Sequence, residues 1–169
     1  MTKDIPQNSF VGVDPGASGA FALYDPANKA LEVFDMPVNV TIVNGRKRTA
    51  VDGSAVGRWF DSNLARMRCV IVEDVHAMPK QGVTSSFSFG FSTGLVRGVI
   101  CANLLPYIIV SPNRWKKEMN VPADKNMARI IATRMMPRHA HLFERVKDHG
   151  RAEAALLAIY GSLRSDLKF

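Results

Sequence analysis

Short apolar runs alternate with turn-rich stretches along the chain. Residues 10–13 and 20–24 are two such runs, separated by Asp14-Pro15-Gly16-Ala17-Ser18-Gly19, and so predict two strands joined by a tight turn. Residues 31–36 predict a third strand that stops before Pro37. Asn44-Gly45 signals a turn, and Arg46, Lys47 and Arg48 follow it as an exposed basic knot. Asp52 or Ser54 is placed to cap a helix reaching about Arg68. Residues 69–72, Cys-Val-Ile-Val, are apolar without alternation, the pattern of a central parallel strand buried on both faces. A loop is expected over 77–86, a glycine-bearing helix over about 87–105, and a buried strand over 107–110, ended by Ser111-Pro112. Asp124 caps a helix through Met135. The last helix runs from near Asp148 to about Leu163, with Ala152, Leu156, Ile159 and Leu163 at helical spacing.

The order β-β-β-α-β-α-β-α-α predicts an α/β fold with a mixed sheet flanked by helices. A hairpin first and parallel crossovers later is the order of a ribonuclease H-like fold. With 169 residues, 47% of them hydrophobic and 22% charged, the chain suits one globular domain over 1–169. No apolar run approaches the roughly 18 residues of a membrane span, and MTKDIPQNSF lacks the apolar stretch of a signal peptide. A cytoplasmic, non-membrane protein is expected. Cys69 and Cys101 lie far apart in apolar segments and read as buried free thiols, which argues against a disulfide framework or a thiolate metal centre. Lys plus Arg is 22 against 15 for Asp plus Glu, a net charge of +7. That balance points to a polyanionic partner, nucleic acid first, with simple solubility charge as the alternative.

Four polar residues occupy unusual places. Asp14 ends an apolar strand, and Glu73 ends the buried run 69–72. His149 and Glu153 are four apart at the start of the last helix and share a face. If the two strands are neighbours, their C-terminal ends bring Asp14 and Glu73 together, and the last helix can complete a cluster. Clustered carboxylates repel one another, and a divalent cation relieves the repulsion. Mg²⁺ favours hard oxygen ligands and keeps several waters. Two such ions roughly 3.5–4 Å apart suit phosphodiester hydrolysis. Each residue alone has an ordinary alternative: an Asx turn for Asp14, a polar strand end for Glu73, an exposed pair for His149 and Glu153. Asp148 reads as a helix N-cap. The four together, in a basic chain, favour the metal site.

The motifs themselves are specific. Val11-Gly12-Val13-Asp14-Pro15-Gly16 with Ser18-Gly19-Ala20 resembles the first motif of RuvC-type Holliday junction resolvases, and Ile71-Val72-Glu73 the second. Residues 147–154, Lys-Asp-His-Gly-Arg-Ala-Glu-Ala, resemble phage RuvC-like enzymes and the plant chloroplast resolvase. The segments 87–93 and 111–116 resemble the chloroplast branch. The resemblance implies a ribonuclease H-like fold, a homodimer, and nicking of four-way DNA junctions that depends on Mg²⁺ or Mn²⁺. Asp14, Glu73, His149 and Glu153 carry over as metal ligands, two ions per site. Lys125 carries over as a basic group near the site, suited to the scissile phosphate or to developing charge. An ordinary helix-start lysine is its alternative. Bacterial members commonly have acidic residues three apart in the last helix, whereas this chain has Gly150 at that position.

Phosphate contacts are expected from Lys80, Arg114, Lys116, Lys117, Lys147 and Arg151. Gly90, Gly94 and Gly98 recur every fourth residue and form a smooth ridge, suited either to packing on the chain's own sheet or to the subunit interface that the family places on this helix. Phe87, Phe89 and Phe91 are candidates for stacking on unpaired junction bases, or else for core or interface packing. Helical spacing would put Phe87 and Phe91 together and swing Phe89 away. His76, His139 and His141 read as surface or loop residues. The expected function is resolution of branched DNA by paired nicks leaving 5′-phosphate and 3′-hydroxyl ends. A non-catalytic junction binder is the runner-up, and an actin-like phosphotransferase is disfavoured by the lack of a second phosphate loop.

Overall fold

The computed structural model describes residues 8–74, 82–122 and 124–164. Seven strands and five α-helices are found among them: β1 (Ser9–Asp14), β2 (Ala20–Asp25), β3 (Ala30–Asp35), β4 (Val38–Val43), β5 (Arg46–Val51), α1 (Gly53–Asn63), β6 (Met67–Glu73), α2 (Val83–Ala102), β7 (Tyr107–Val110), α3 (Pro112–Glu118), α4 (Lys125–Met135) and α5 (His149–Ser162). Five strands form one sheet in the order β3-β2-β1-β6-β7. β1 pairs antiparallel with β2 and parallel with β6, which pairs parallel with β7. This is the mixed sheet that the element order predicts.

Period-2 alternation divides the core between the two faces. Phe10, Ala22, Cys69 and Ile71 meet α5, with α4 and Trp115 packed beyond. Val11, Val13, Phe21, Leu23, Val70 and Val72 meet Val56, Phe60, Val96 and Ile100 of α1 and α2. Helix α5 crosses the middle of the sheet because Gly12 has no side chain. A Cβ there would stand 1.9 Å from the Ala154 carbonyl oxygen, which leaves no room for any other residue.

Several boundaries differ from the sequence expectation. The basic knot lies in a second hairpin, β4 paired with β5, whose turn is the expected Asn44-Gly45. Helix α1 has the expected Asp52 cap, its Oδ1 accepting from the Ala55 amide at 3.0 Å. It ends at Asn63 instead of Arg68, because β6 begins at Met67, which pairs with Ser9 of β1, and Arg68 lies at the register shift before Cys69 pairs with Phe10. Helix α2 begins at Val83 within the expected loop, where the Gly82 carbonyl accepts from the Ser86 amide. Strand β7 ends at Val110, ahead of Ser111-Pro112 as expected, and Pro112 also opens α3 at the first helical position, where its missing N–H has no partner to lose. Cys69 is buried as expected, its thiol pushed up to about 12 by burial, but Cys101 is exposed on α2. Met136 is buried while Met135 is exposed. No described helix is long and apolar enough to cross a membrane.

Candidate active site

Val13 and Val72 are partners in the parallel β1–β6 register, so Asp14 and Glu73 are the next residues of adjacent strands at one edge of the sheet. Both ends of the Asp14 carboxylate are defined. Oδ1 accepts weakly from the Gly16 amide at 3.3 Å, the Asx turn weighed above. Oδ2 faces the start of α5: a Cβ on Gly150 would lie 3.2 Å from it and 2.5 Å from the Ser18 carbonyl oxygen. The departure at Gly150 therefore has a steric cause. The first turn of α5 docks so tightly on the β1–β2 turn that a carboxylate at 150 has no space. Asp14 and His149 then line a common pocket of about 270 Å³ with residues 16–19 and Phe89.

Glu73 is buried and Glu153 lies one turn along α5 from His149. Burial and the charges of Glu73 and Glu153 raise the Asp14 pKa to about 7. Burial likewise pushes Glu73 up, opposed by the Trp115 indole N–H, which donates to its Oε1 at 2.9 Å. The three carboxylates thus share one repulsive field. The offsetting cation is Lys116, whose ammonium lies 2.6 Å from Glu153 Oε1 and 5.3 Å from the centre of the Trp115 ring. Among the described residues no three His, Cys, Asp or Glu side chains converge closely enough to hold an ion as they stand, so the expected four-ligand cluster is not assembled in ligating geometry. The donor set nevertheless fits a hard divalent cation: carboxylate oxygens in a mutually repelling group, one of them driven close to neutral pH.

Asp148 does not join this group. It occupies the N-cap position of α5, yet its carboxylate accepts from the Arg145 amide at 2.8 Å and from the Arg145 guanidinium. Burial alone would raise its pKa, and Arg145 outweighs burial and lowers it. Arg151 is committed nearby, with two bonds of 2.5 and 2.6 Å to Asp35, which tie α5 to the end of β3. Of the other expected phosphate contacts, Arg114 pairs with Glu118 at 3.1 Å, and Lys117 and Lys147 are exposed. Lys116, expected as a phosphate contact, instead pairs with Glu153 of the carboxylate group. Lys80 lies outside the described residues, as do His76 and the side chain of Lys125, whose backbone opens α4 just after the Asp124 cap.

The phenylalanines follow helical spacing. Phe87 and Phe91 are 73% and 55% exposed and line a groove against Thr41, Arg48, Thr49 and Ala50 of the β4–β5 hairpin. Phe89 turns the other way and covers Gly16 at the mouth of the Asp14 pocket. A Cβ at Gly90, Gly94 or Gly98 would meet nothing within 4 Å. The ridge is therefore open, and its alternative of close packing on the chain's own sheet is overturned. Sequence reasoning missed Trp115 as a site residue. The signal was a single large apolar side chain amid Asn113, Arg114, Lys116 and Lys117.

No protein-family model and no curated protein matches the chain in sequence. Solved structures do match in shape. RuvC of T. thermophilus in complex with Holliday junction substrate superposes with a TM-score of 0.57 at 13% identity, over 90% of each chain. The Thermus thermophilus RuvC structure gives 0.55 at 15% identity, over 90% of this chain and 92% of that one. The yeast mitochondrial Holliday junction resolvase Ydc2 gives 0.52 at 12%, over 95% and 80%. With its mixed five-stranded sheet between α5 and the α1–α2 layer, the chain has the ribonuclease H-like fold that RuvC also has.

Proposed function

We propose that this chain is a RuvC-type, structure-selective endonuclease that resolves four-way DNA junctions by paired nicks. The observation that carries the reading is the strand-end pair Asp14 and Glu73, which shares one electrostatic field with Glu153 in a fold shared with RuvC. Asp14, Glu73, Glu153 and His149 would hold Mg²⁺ or Mn²⁺, after Glu153 turns from Lys116. When bound, such ions supply an activated water and charge neutralisation at the leaving oxygen. The protein's own part is to bring these donors to one sheet edge, with Phe89 beside the pocket and Lys116 free to meet a phosphate oxygen once Glu153 is taken. Water opposite the 3′ oxygen leaves 5′-phosphate and 3′-hydroxyl ends.

Resolution needs two cuts in opposed strands, and a two-fold homodimer supplies two sites. The open face of α2, with Phe87, Phe91 and the glycine ridge, is the proposed contact between copies. The test is incubation with a synthetic four-way junction, with and without Mg²⁺. Paired nicks only with metal, lost in Asp14→Asn and Glu73→Gln while junction binding persists, are the expected result. Binding without nicks under every metal condition would leave a non-catalytic junction binder in its place.

A further inference from the structure

Trp115 is fully buried, and its ring has two polar duties. Its edge donates the indole N–H to Glu73 Oε1 at 2.9 Å. Its face lies 5.3 Å from the Lys116 ammonium, which grips Glu153 at 2.6 Å. One side chain thus touches the strand-end carboxylate directly and the helix carboxylate through its neighbour. Helix α3 makes this possible. Pro112 starts it immediately after β7, so consecutive residues 115 and 116 arrive beside the end of β6 and the first turns of α5.

The two contacts differ in kind. An indole N–H is a neutral donor with no acceptor capacity. It occupies one oxygen of Glu73 without neutralising the carboxylate, so the negative charge and the second oxygen remain available to a cation. A buried tryptophan also has no solvent alternative for its N–H, so the bond fixes the orientation of Glu73 in advance. Lys116 is the opposite case. Its ammonium neutralises Glu153 and must leave before a cation can use that carboxylate, and the indole face gives the ammonium a favourable place beside the site.

We propose that Trp115 is a positioning residue for this carboxylate site, holding Glu73 in its cation-binding orientation and steadying Lys116 as the exchangeable counter-ion of Glu153. The inference rests on the divalent-metal reading above. Hydrogen-bond partners of metal-ligating side chains commonly carry about 10–100-fold in metal affinity, and that is the size of effect expected here.

The experiment reads the indole directly. The chain contains two tryptophans. The second, Trp59, stacks on Phe21 with no partner for its Nε1 among the described residues, and so serves as an internal reference. In ¹⁵N-labelled wild-type protein titrated with Mg²⁺, the Trp115 indole N–H resonance should move together with the backbone amides of Asp14 and Glu153. The Trp59 indole should not. By calorimetry, Trp115→Phe should need about tenfold more Mn²⁺ for half-saturation. Phe60→Leu, an equally buried change in the opposite core layer, should lose stability but bind Mn²⁺ like wild type. If Mg²⁺ moves the Asp14 and Glu153 amides while the Trp115 indole stays still and Trp115→Phe binds Mn²⁺ normally, the positioning role is wrong and the nuclease reading stands. If no amide of the site responds to either cation, the metal reading falls and the positioning role falls with it.

Discussion

Asp14→Asn should abolish nicking and at the same time stabilise the metal-free protein. The folded site raises the Asp14 pKa from its ordinary 3.8 to about 7 through burial and the nearby charges of Glu73 and Glu153. Between those two values the folded chain holds a proton that the unfolded chain has released. Wild-type stability therefore falls as pH rises through that interval. Asparagine carries no such charge, keeps an oxygen for the Gly16 amide, and can donate to a neighbouring carboxylate. At about 1.36 kcal/mol per pH unit, the variant should lead wild type by about 2 kcal/mol at pH 5 and about 4 kcal/mol at pH 8. For a chain of this size that lead at pH 8 is about 10 °C in melting temperature. Equilibrium guanidinium unfolding in EDTA at pH 5, 6, 7 and 8 measures it. Saturating Mg²⁺ should narrow the gap at pH 8 by stabilising wild type. A variant less stable than wild type at pH 8, or a gap that does not change with pH, would refute the reasoning.

Three further outcomes are expected. Gly150→Ala should lower stability by about 1–3 kcal/mol, because its Cβ would stand 2.5 Å from the Ser18 carbonyl oxygen and displace α5 from Asp14. Thermal melting together with Mg²⁺ calorimetry checks this, and a wild-type result in both removes the docking argument. Phe89→Ala should stay folded yet nick junctions five- to a hundredfold more slowly, the equivalent of about 1–3 kcal/mol of lost base stacking. Normal resolution, or early melting, would place the ring in packing alone. Gly94→Leu should shift sedimentation from dimer toward monomer, and a wild-type chain that is monomeric at micromolar concentration with and without junction DNA would contradict the dimer.

The strands of the five-stranded sheet were legible in the sequence because their residues depend on local pattern. Residues 69–72 are apolar without alternation since β6 is covered on both faces, and the turn after Asp14 is written in proline and glycine. Asp14 and Glu73 were legible as a pair for the same reason, as each ends a buried strand and parallel register does the rest. The β4–β5 hairpin was legible only in its Asn44-Gly45 turn. Its strands are almost wholly exposed, so no buried face imposes a hydrophobic alternation on them. Other features depend on which elements meet, and no local pattern encodes that. Asp148 and Glu153 are both acids of the same segment, but Arg145 takes one out of the site and Lys116 is drawn into it by the other. Phe87 and Phe89 differ by two residues and face opposite sides of α2. Trp115 became a partner of Glu73 across 42 positions of sequence because Pro112 turns the chain back into a helix beside the sheet edge. Burial and charge act through space, so the chain alone determined which residues could do chemistry, and tertiary packing decided which of them do it together.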